Sequence, residues 1–265
     1  MPQFLEITSA ANPRIKEVRA LLRGRKTGPG TPFAGEGTQL ATRALQAGVV
    51  RTLIASQDVA DFFPGDLAEA LDREGLDVTV VPGALFEKIS RRSMPSGVAF
   101  VGTQPSADFD ELAVGVPALV LDRARNPRNI GAIARTCEAA GLGGLVLAGS
   151  HADPFSYEAI RASMGSVFGV PIVGCSDDEL LAWAGRTGRT LIGTSGAAED
   201  SVWDAPMPGE SAILFGNEGE GLSESLQEAC DELIKIPFNS AVDSLNLGAA
   251  VAVVSFEYRR RNPFA

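Results

Sequence analysis

A single histidine, His151, and three cysteines, Cys137, Cys175 and Cys230, leave few ways to build a metal centre or a histidine-activated nucleophile in these 265 residues. No CxxC pair occurs. The cysteines stand far apart among apolar neighbours, so they read as reduced core thiols, with no metal site and no disulfide framework. A Ser-His-Asp triad is set aside on the same ground. The N-terminal stretch MPQFLEITSAANPRIKEV has neither the apolar core of a secretion signal nor the character of a transit peptide. The expectation is a soluble, cytoplasmic protein without a membrane partner. No internal repeat and no low-complexity tract appears.

Basic charge is also scarce, with 23 Lys and Arg against 33 Asp and Glu for a net charge of −10. The deficit is uneven. Residues 1–30 carry six basic and two acidic side chains, residues 31–115 six and twelve, and residues 116–265 eleven and nineteen. Only the first segment, with Arg14, Lys16, Arg19, Arg23, Arg25 and Lys26, has the balance of a phosphate-binding surface; on charge alone it is equally a solvated amphipathic helix. Nucleotide-binding signatures are missing as well. The glycine-rich stretch at 216–221 lacks the Gly-Lys-Ser/Thr of a phosphate loop. Gly141-Leu142-Gly143-Gly144 precedes a strand where a dinucleotide site would follow one, which leaves an oxidoreductase reading weak.

What the chain does have is 45% apolar residues arranged as two alternating β/α series. The first holds helices at about 12–22, 38–47, 67–73 and 84–90, with strands leading into Gly35-Glu36-Gly37 and at 49–55, 78–81 and 98–102. It reads as a small α/β domain over residues 1–103. Residues 104–116, with Pro105, Ser106 and three acids, read as a linker. The second series occupies 117–265. Its strands fall near 119–121, 145–148, 172–173, 190–194, 212–215 and 233–236, and its helices near 130–140, 157–164, 178–186, 222–230 and 245–259. Such spacing predicts a mostly parallel sheet covered on both faces.

In an open parallel sheet, ligands sit beyond the carboxyl ends of the strands. Four polar or glycine-rich loops converge there: Arg123 to Asn129, Thr194 to Gly196, Gly216 to Gly221, and Pro237 to Asn246. Asn129 is expected to cap the helix that follows it. That helix looks largely buried, and Arg135 on it would then want an anion, although a surface ion pair with Glu138 is the plainer alternative. Ser244 would cap the last helix or face a substrate. The last helix is apolar on almost every side from Leu245 to Phe256, which predicts burial on all faces, and Arg259, Arg260 and Arg261 suit the negative end of its dipole.

Three segments together, N-x-G-A-I-A-R-T at Asn129 to Thr136, F-G-N-E-G-x-G-L at Phe215 to Leu222 and I-P-(6)-S-L-N at Ile236 to Asn246, resemble the motifs of the SpoU/TrmH family of RNA ribose 2'-O-methyltransferases. Tyr157 to Phe168 is similar to the family's segment between the first two motifs. F-A-G-E-G-T-x-L with A-L-Q-A-G resembles the small RNA-binding domain found before many of its catalytic domains. The resemblance implies a C-terminal α/β trefoil-knot domain, a homodimer, S-adenosylmethionine as methyl donor, and RNA as substrate, ribosomal RNA ahead of transfer RNA. A non-catalytic RNA-binding relative is the rival.

The resemblance further implies a reaction centre of Asn129, Arg135, Glu218, Ser244 and Asn246. The donor would lie among Thr194, Ser195 and Gly196; Leu214, Phe215, Gly216, Asn217, Gly219 and Gly221; and Ile236, Pro237, Ser244 and Leu245. RNA contacts are expected from Arg14, Lys16, Arg19, Arg23, Arg25 and Lys26 and from Arg128 and Arg161, with Arg91, Arg92, Arg123 and Arg125 nearby. Arg128 stands where many relatives have glycine.

Overall fold

Ala118-Leu119-Val120-Leu121-Asp122 is buried at every position, and so is Ser211-Ala212-Ile213-Leu214-Phe215. Strands with no solvent face belong in the middle of a sheet covered on both sides, and these two pair with each other there. The computed structural model describes residues 3–24, 30–239, 241 and 244–264. Its contacts divide the chain into two units, one running to Ser106 and including Phe155–Gly169, the other comprising Ala107–Pro154 and Val170 onward.

The first unit contains β1 (Phe4–Glu6), α1 (Pro13–Leu22), β2 (Pro32–Glu36), α2 (Thr38–Gln46), β3 (Val50–Ser56), α3 (Gln57–Ala60), α4 (Gly65–Glu74), β4 (Val78–Val81), α5 (Gly83–Ile89) and β5 (Val98–Thr103). The sheet order is β1-β4-β3-β5-β2, with β5 antiparallel to both of its neighbours. α1 buries Ile15, Val18, Leu21 and Leu22 in the core.

The second unit contains β6 (Ala118–Asp122), α6 (Pro127–Ala139) and β7 (Leu145–Ala148). The chain then contributes α7 (Tyr157–Ser163) to the first unit. It returns as β8 (Ile172–Cys175), α8 (Asp177–Thr187), β9 (Thr190–Thr194), β10 (Asp200–Ser201), β11 (Ser211–Phe215), α9 (Glu224–Ala229), β12 (Glu232–Lys235) and α10 (Leu247–Arg261). The sheet order is β10-β12-β9-β11-β6-β7-β8, and every pairing is parallel.

Four expectations are corrected by the packing. Tyr157 to Phe168 was assigned by sequence to the second domain, but its side chains find partners in the first unit. Phe155 and Phe168 lie 5.8 and 5.4 Å from the Phe33 ring, and Tyr157 donates a hydrogen bond to the buried carboxylate of Glu36. That carboxylate also accepts from the Ser90 hydroxyl at 2.7 Å and the Arg91 N–H at 3.3 Å. Burial, and then the Glu36 charge, push the Tyr157 phenol up to about 12.

The linker is the second correction. From Ala107 it belongs to the second unit, where Phe109 stacks on Trp183 with centroids 4.8 Å apart and Leu112 is buried. The guanidinium of Arg189, itself buried, holds the segment by donating to the carbonyls of Ala113 and Val116.

Third, α10 is not covered on all sides: Ala249 and Phe256 are exposed, the latter by 50%. Its three arginines do more than face a dipole. Arg259 donates to the carbonyls of Ala140 and Gly141 at the end of α6, Arg260 and Arg261 both pair with the buried Glu257, and Arg261 also donates to the carbonyls of Val202 and Ala205. Fourth, of the three thiols only Cys137 is fully buried; Cys175 and Cys230 are half-buried, and all three are free. Among the described residues no helix is long and apolar enough to cross a membrane.

Candidate functional site

The site begins at Asp122, the last residue of β6, which is 1% exposed. A buried carboxylate needs donors, and Asp122 has them from the Arg123 guanidinium at 2.9 and 3.2 Å and from the Ser223 N–H at 2.6 Å. Arg123 adopts the left-handed backbone region at φ 51°, and its carbonyl accepts from Asn217 Nδ2 at 3.0 Å. One short turn after β6 thereby grips both ends of the glycine loop that follows β11.

That loop closes on itself. The N–H of Asn217 donates to the Gly221 carbonyl and the N–H of Gly221 to the Asn217 carbonyl, at 3.0 and 2.9 Å. Asn217 Oδ1 accepts from the Gly219 N–H at 2.9 Å. A Cβ on Gly216 would overlap the Gly221 carbonyl carbon and the Leu222 nitrogen, so closure requires glycine there. Within the loop, Glu218 accepts a hydrogen bond from Asn129 Nδ2 on α6, while Glu220 lies 3.9 Å from the guanidinium nitrogens of Arg123 and Arg125.

Between this loop, the turn after β9 and the start of α10 lies a cavity of about 350 Å³, within the size range of small-molecule sites. Its walls are Thr194 to Gly196, Phe215 to Glu218, Glu220 to Leu222, Gln227, Ser244, Leu245, Leu247 and Ala250. The Thr194 hydroxyl donates to the Leu214 carbonyl at 2.9 Å, and the Ser195 N–H to the Ile234 carbonyl at the same distance, so the turn after β9 is fixed to both neighbouring strands. Leu222 and Leu247 supply buried apolar surface, while Gly196 and Gly221 leave open space where other residues would project a side chain. A ligand with both apolar and polar parts fits this mixed lining.

Of the donor residues expected from sequence, Thr194, Ser195, Gly196, Phe215, Gly216, Asn217, Gly221, Ser244 and Leu245 meet at the cavity; Leu214, Gly219, Ile236 and Pro237 are not among its walls. Of the five expected at the reaction centre, Glu218 and Ser244 line the cavity and Asn129 is bound to Glu218.

The cap assignments change. Asn126, not Asn129, caps α6, accepting from the Arg128 N–H at 3.0 Å, which frees the Asn129 amide for Glu218. Asn246, not Ser244, caps α10, accepting from the N–H groups of Gly248 and Ala249. Arg135 lies on the exposed face of α6 and is not in the buried setting expected for it. Among the described residues its side chain makes no ion pair or hydrogen bond within the protein. The alternative pair with Glu138 is therefore not formed.

Sequence reasoning passed over Asp122, Glu220, Gln227, Leu247 and Ala250. Asp122 carried a usable signal, an acid ending an apolar strand immediately before a polar loop; Leu247 and Ala250 carried none beyond helix membership. Burial pushes the Cys137 and Cys175 thiols up to about 12 and Cys230 up to about 11, against thiolate character at ordinary pH.

Most of the expected RNA contacts are on the first unit. Arg14, Lys16 and Arg23 are exposed along or just after α1, and Arg19 is half-buried. Arg161 is exposed with its guanidinium 5.6 Å from the Tyr157 ring centre, and Arg91 stacks closer, at 4.3 Å. Arg25 and Lys26 lie outside the described residues. Arg128, in the second unit, is exposed.

A wholly parallel α/β sheet with a cavity among the loops at its carboxyl edge is the arrangement in which such folds bind a ligand. Residues 117–256 match the model of the SpoU rRNA Methylase family, and residues 12–99 match an MRM3-like substrate binding domain. The chain belongs to the SpoU rRNA methylase family. It is 31% identical to the 23S rRNA (uridine(2479)-2'-O)-methyltransferase of Streptomyces viridochromogenes, covering 98% of this chain and 93% of that protein. It is 26% identical to the 23S rRNA (guanosine(2553)-2'-O)-methyltransferase RlmP of Bacillus subtilis, covering 96% and 99%. Its fold superposes on the AdoMet-bound rRNA methyltransferase from Sinorhizobium meliloti with a TM-score of 0.84 at 31% identity, over 99% of this chain and all of that one.

Proposed function

We propose that this protein transfers a methyl group from S-adenosylmethionine to a ribose 2'-hydroxyl of ribosomal RNA. The observation that carries the reading is the cavity walled by the turns after β9 and β11 and by the start of α10, with the Glu218–Asn129 pair at its rim. The donor supplies an electrophilic methyl on a sulfonium whose positive charge is lost during transfer.

The residues around the cavity divide the remaining work. Thr194 to Gly196, Phe215 to Gly221 and Leu245 hold the donor. Arg135, exposed and unpaired among the described residues, grips a phosphate beside the target ribose and favours the forming alkoxide, while the hydroxyl proton passes to solvent; a guanidinium keeps its proton at ordinary pH and is a poor general base. Asn246 has its side-chain oxygen committed to capping α10, so it offers only its N–H donors to substrate, and Ser244 aligns the hydroxyl. Glu218 fixes Asn129, which brings α6 and the glycine loop to the same reacting group. Positioning of this kind supplies much of the rate.

The first unit is the RNA-holding part, through α1 and the arginines near Tyr157. The apolar strip Ala249, Val253 and Phe256 on α10 is the face on which two copies pair, with Phe256 as its anchor. We carry over the family's trefoil knot to the C-terminal domain of this chain. The protein works in the cytoplasm, where ribosomal RNA is processed. Incubation with tritiated S-adenosylmethionine and unmethylated ribosomal RNA, followed by mapping of 2'-O-methyl groups, tests the reading; absence of label in RNA would refute it.

A further inference from the structure

We propose that Glu220 is a stand-in for an RNA phosphate, holding Arg123 and Arg125 until substrate takes its place. The inference rests on the proposed methyl transfer to RNA and adds how the arginines beside the donor cavity are kept and released. Arg123 is committed on one side: its Nε and one terminal nitrogen bond Asp122, and its carbonyl bonds Asn217. Its other terminal nitrogen faces Glu220 Oε2 at 3.9 Å, and Arg125 reaches the same oxygen at 3.9 Å.

One carboxylate oxygen between two guanidinium groups is the charge arrangement a backbone phosphate would adopt there. The contacts are long and the partners well exposed, with the Arg125 side chain at 65% and Glu220 at 56%, so the pairing is weak and easily exchanged. A phosphate offers shorter, bidentate bonds to both arginines. Because Glu220 also walls the donor cavity, the exchange moves a loop residue shared by the donor and RNA sides. The two acids of the loop divide the contacts, Glu218 towards Asn129 and Glu220 towards the arginines.

The test compares Glu220→Gln with the native protein for binding of 23S rRNA transcribed in vitro, by filter retention, across a salt series. With the competing carboxylate gone, RNA affinity is expected to rise about threefold at low salt. In an Arg125→Ala background the gain should shrink, because Glu220 then competes with RNA only at Arg123. Unchanged or weaker RNA binding by Glu220→Gln overturns the proposal. So does a gain of equal size in the Arg125→Ala background, which would reduce the effect to the loss of one negative charge. Methyl transfer by the native protein is measured on the same RNA. A native chain that binds RNA without methylating it refutes the proposed reaction and leaves the affinity comparison to decide Glu220, whereas one that does not bind RNA overturns both.

Discussion

Glycine-flanked glutamates occur in both units and do opposite things. In Gly35-Glu36-Gly37 the carboxylate is 2% exposed and saturated by Ser90, Arg91 and Tyr157. In Gly216 to Gly221, Glu218 and Glu220 are exposed at a cavity rim, Glu218 facing Asn129 on α6 and Glu220 facing two arginines on the β6–α6 connection. The local sequence is nearly the same. The difference lies in what stands opposite: the end of α5 and Tyr157 of an incoming helix in one case, an open edge of a parallel sheet in the other. A saturated buried acid fixes structure, while an exposed and sparsely bonded one is free to meet substrate.

The largest predicted effect separates the reaction centre from the donor cavity. Arg135→Ala should lower kcat by about 10²- to 10³-fold, with S-adenosylmethionine affinity by calorimetry changed little; near-normal turnover would remove Arg135 from the site. Next comes a direct contrast of the two glutamates. Glu36→Ala leaves the buried Tyr157 hydroxyl and the Ser90 and Arg91 donors without their acceptor and should cost about 3 kcal/mol in chemical denaturation, whereas Glu218→Ala should leave stability within about 0.5 kcal/mol and reduce turnover. If both variants lose stability alike, the contrast fails.

A third glutamate sharpens the comparison by pH. The side-chain hydrogen bond from Arg260, with help from Arg261, holds Glu257 down at about 2, below its ordinary value of 4.5. A depressed carboxyl stabilises the fold above its unfolded value and loses that contribution as pH falls from about 4.5 to 2. Glu257→Gln should therefore flatten the fall of Tm across that window while changing little of its shape near pH 7. The smallest effect concerns α1. Lys16→Ala with Arg23→Ala should weaken RNA binding a few-fold and lower the salt slope of log affinity by about 0.7 to 0.9 per lost phosphate contact. An unchanged slope would take α1 off the RNA surface.

The β and α elements were largely legible, because apolar runs and glycine or proline breaks are written locally. β1 and β10 were missed; they are three and two residues long, too short to carry a period. The cavity was legible as four loops, but not its exact walls, since Leu247 and Ala250 face it only through the packing of α10. Burial was misjudged where it depends on distant contacts. Arg135 shares a helix with buried Ile133, Ala134 and Cys137 yet sits on the opposite face, and Phe256 is apolar yet uncovered.

The caps show the same division within a few residues. Asn126 and Asn129 are both good cap types, as are Ser244 and Asn246, and local chemistry could not choose between them. The choice came from Glu218, 89 residues along from Asn129, and from where α10 starts. By itself the sequence determined the alternating elements, the loops at the carboxyl edge and the motifs that carry family membership, all properties of neighbouring residues. The tertiary structure alone decided which glutamate is buried, which asparagine caps and which arginine is exposed. Those outcomes depend on groups brought within hydrogen-bonding distance from far along the chain, as Tyr157 is to Glu36 across 121 residues.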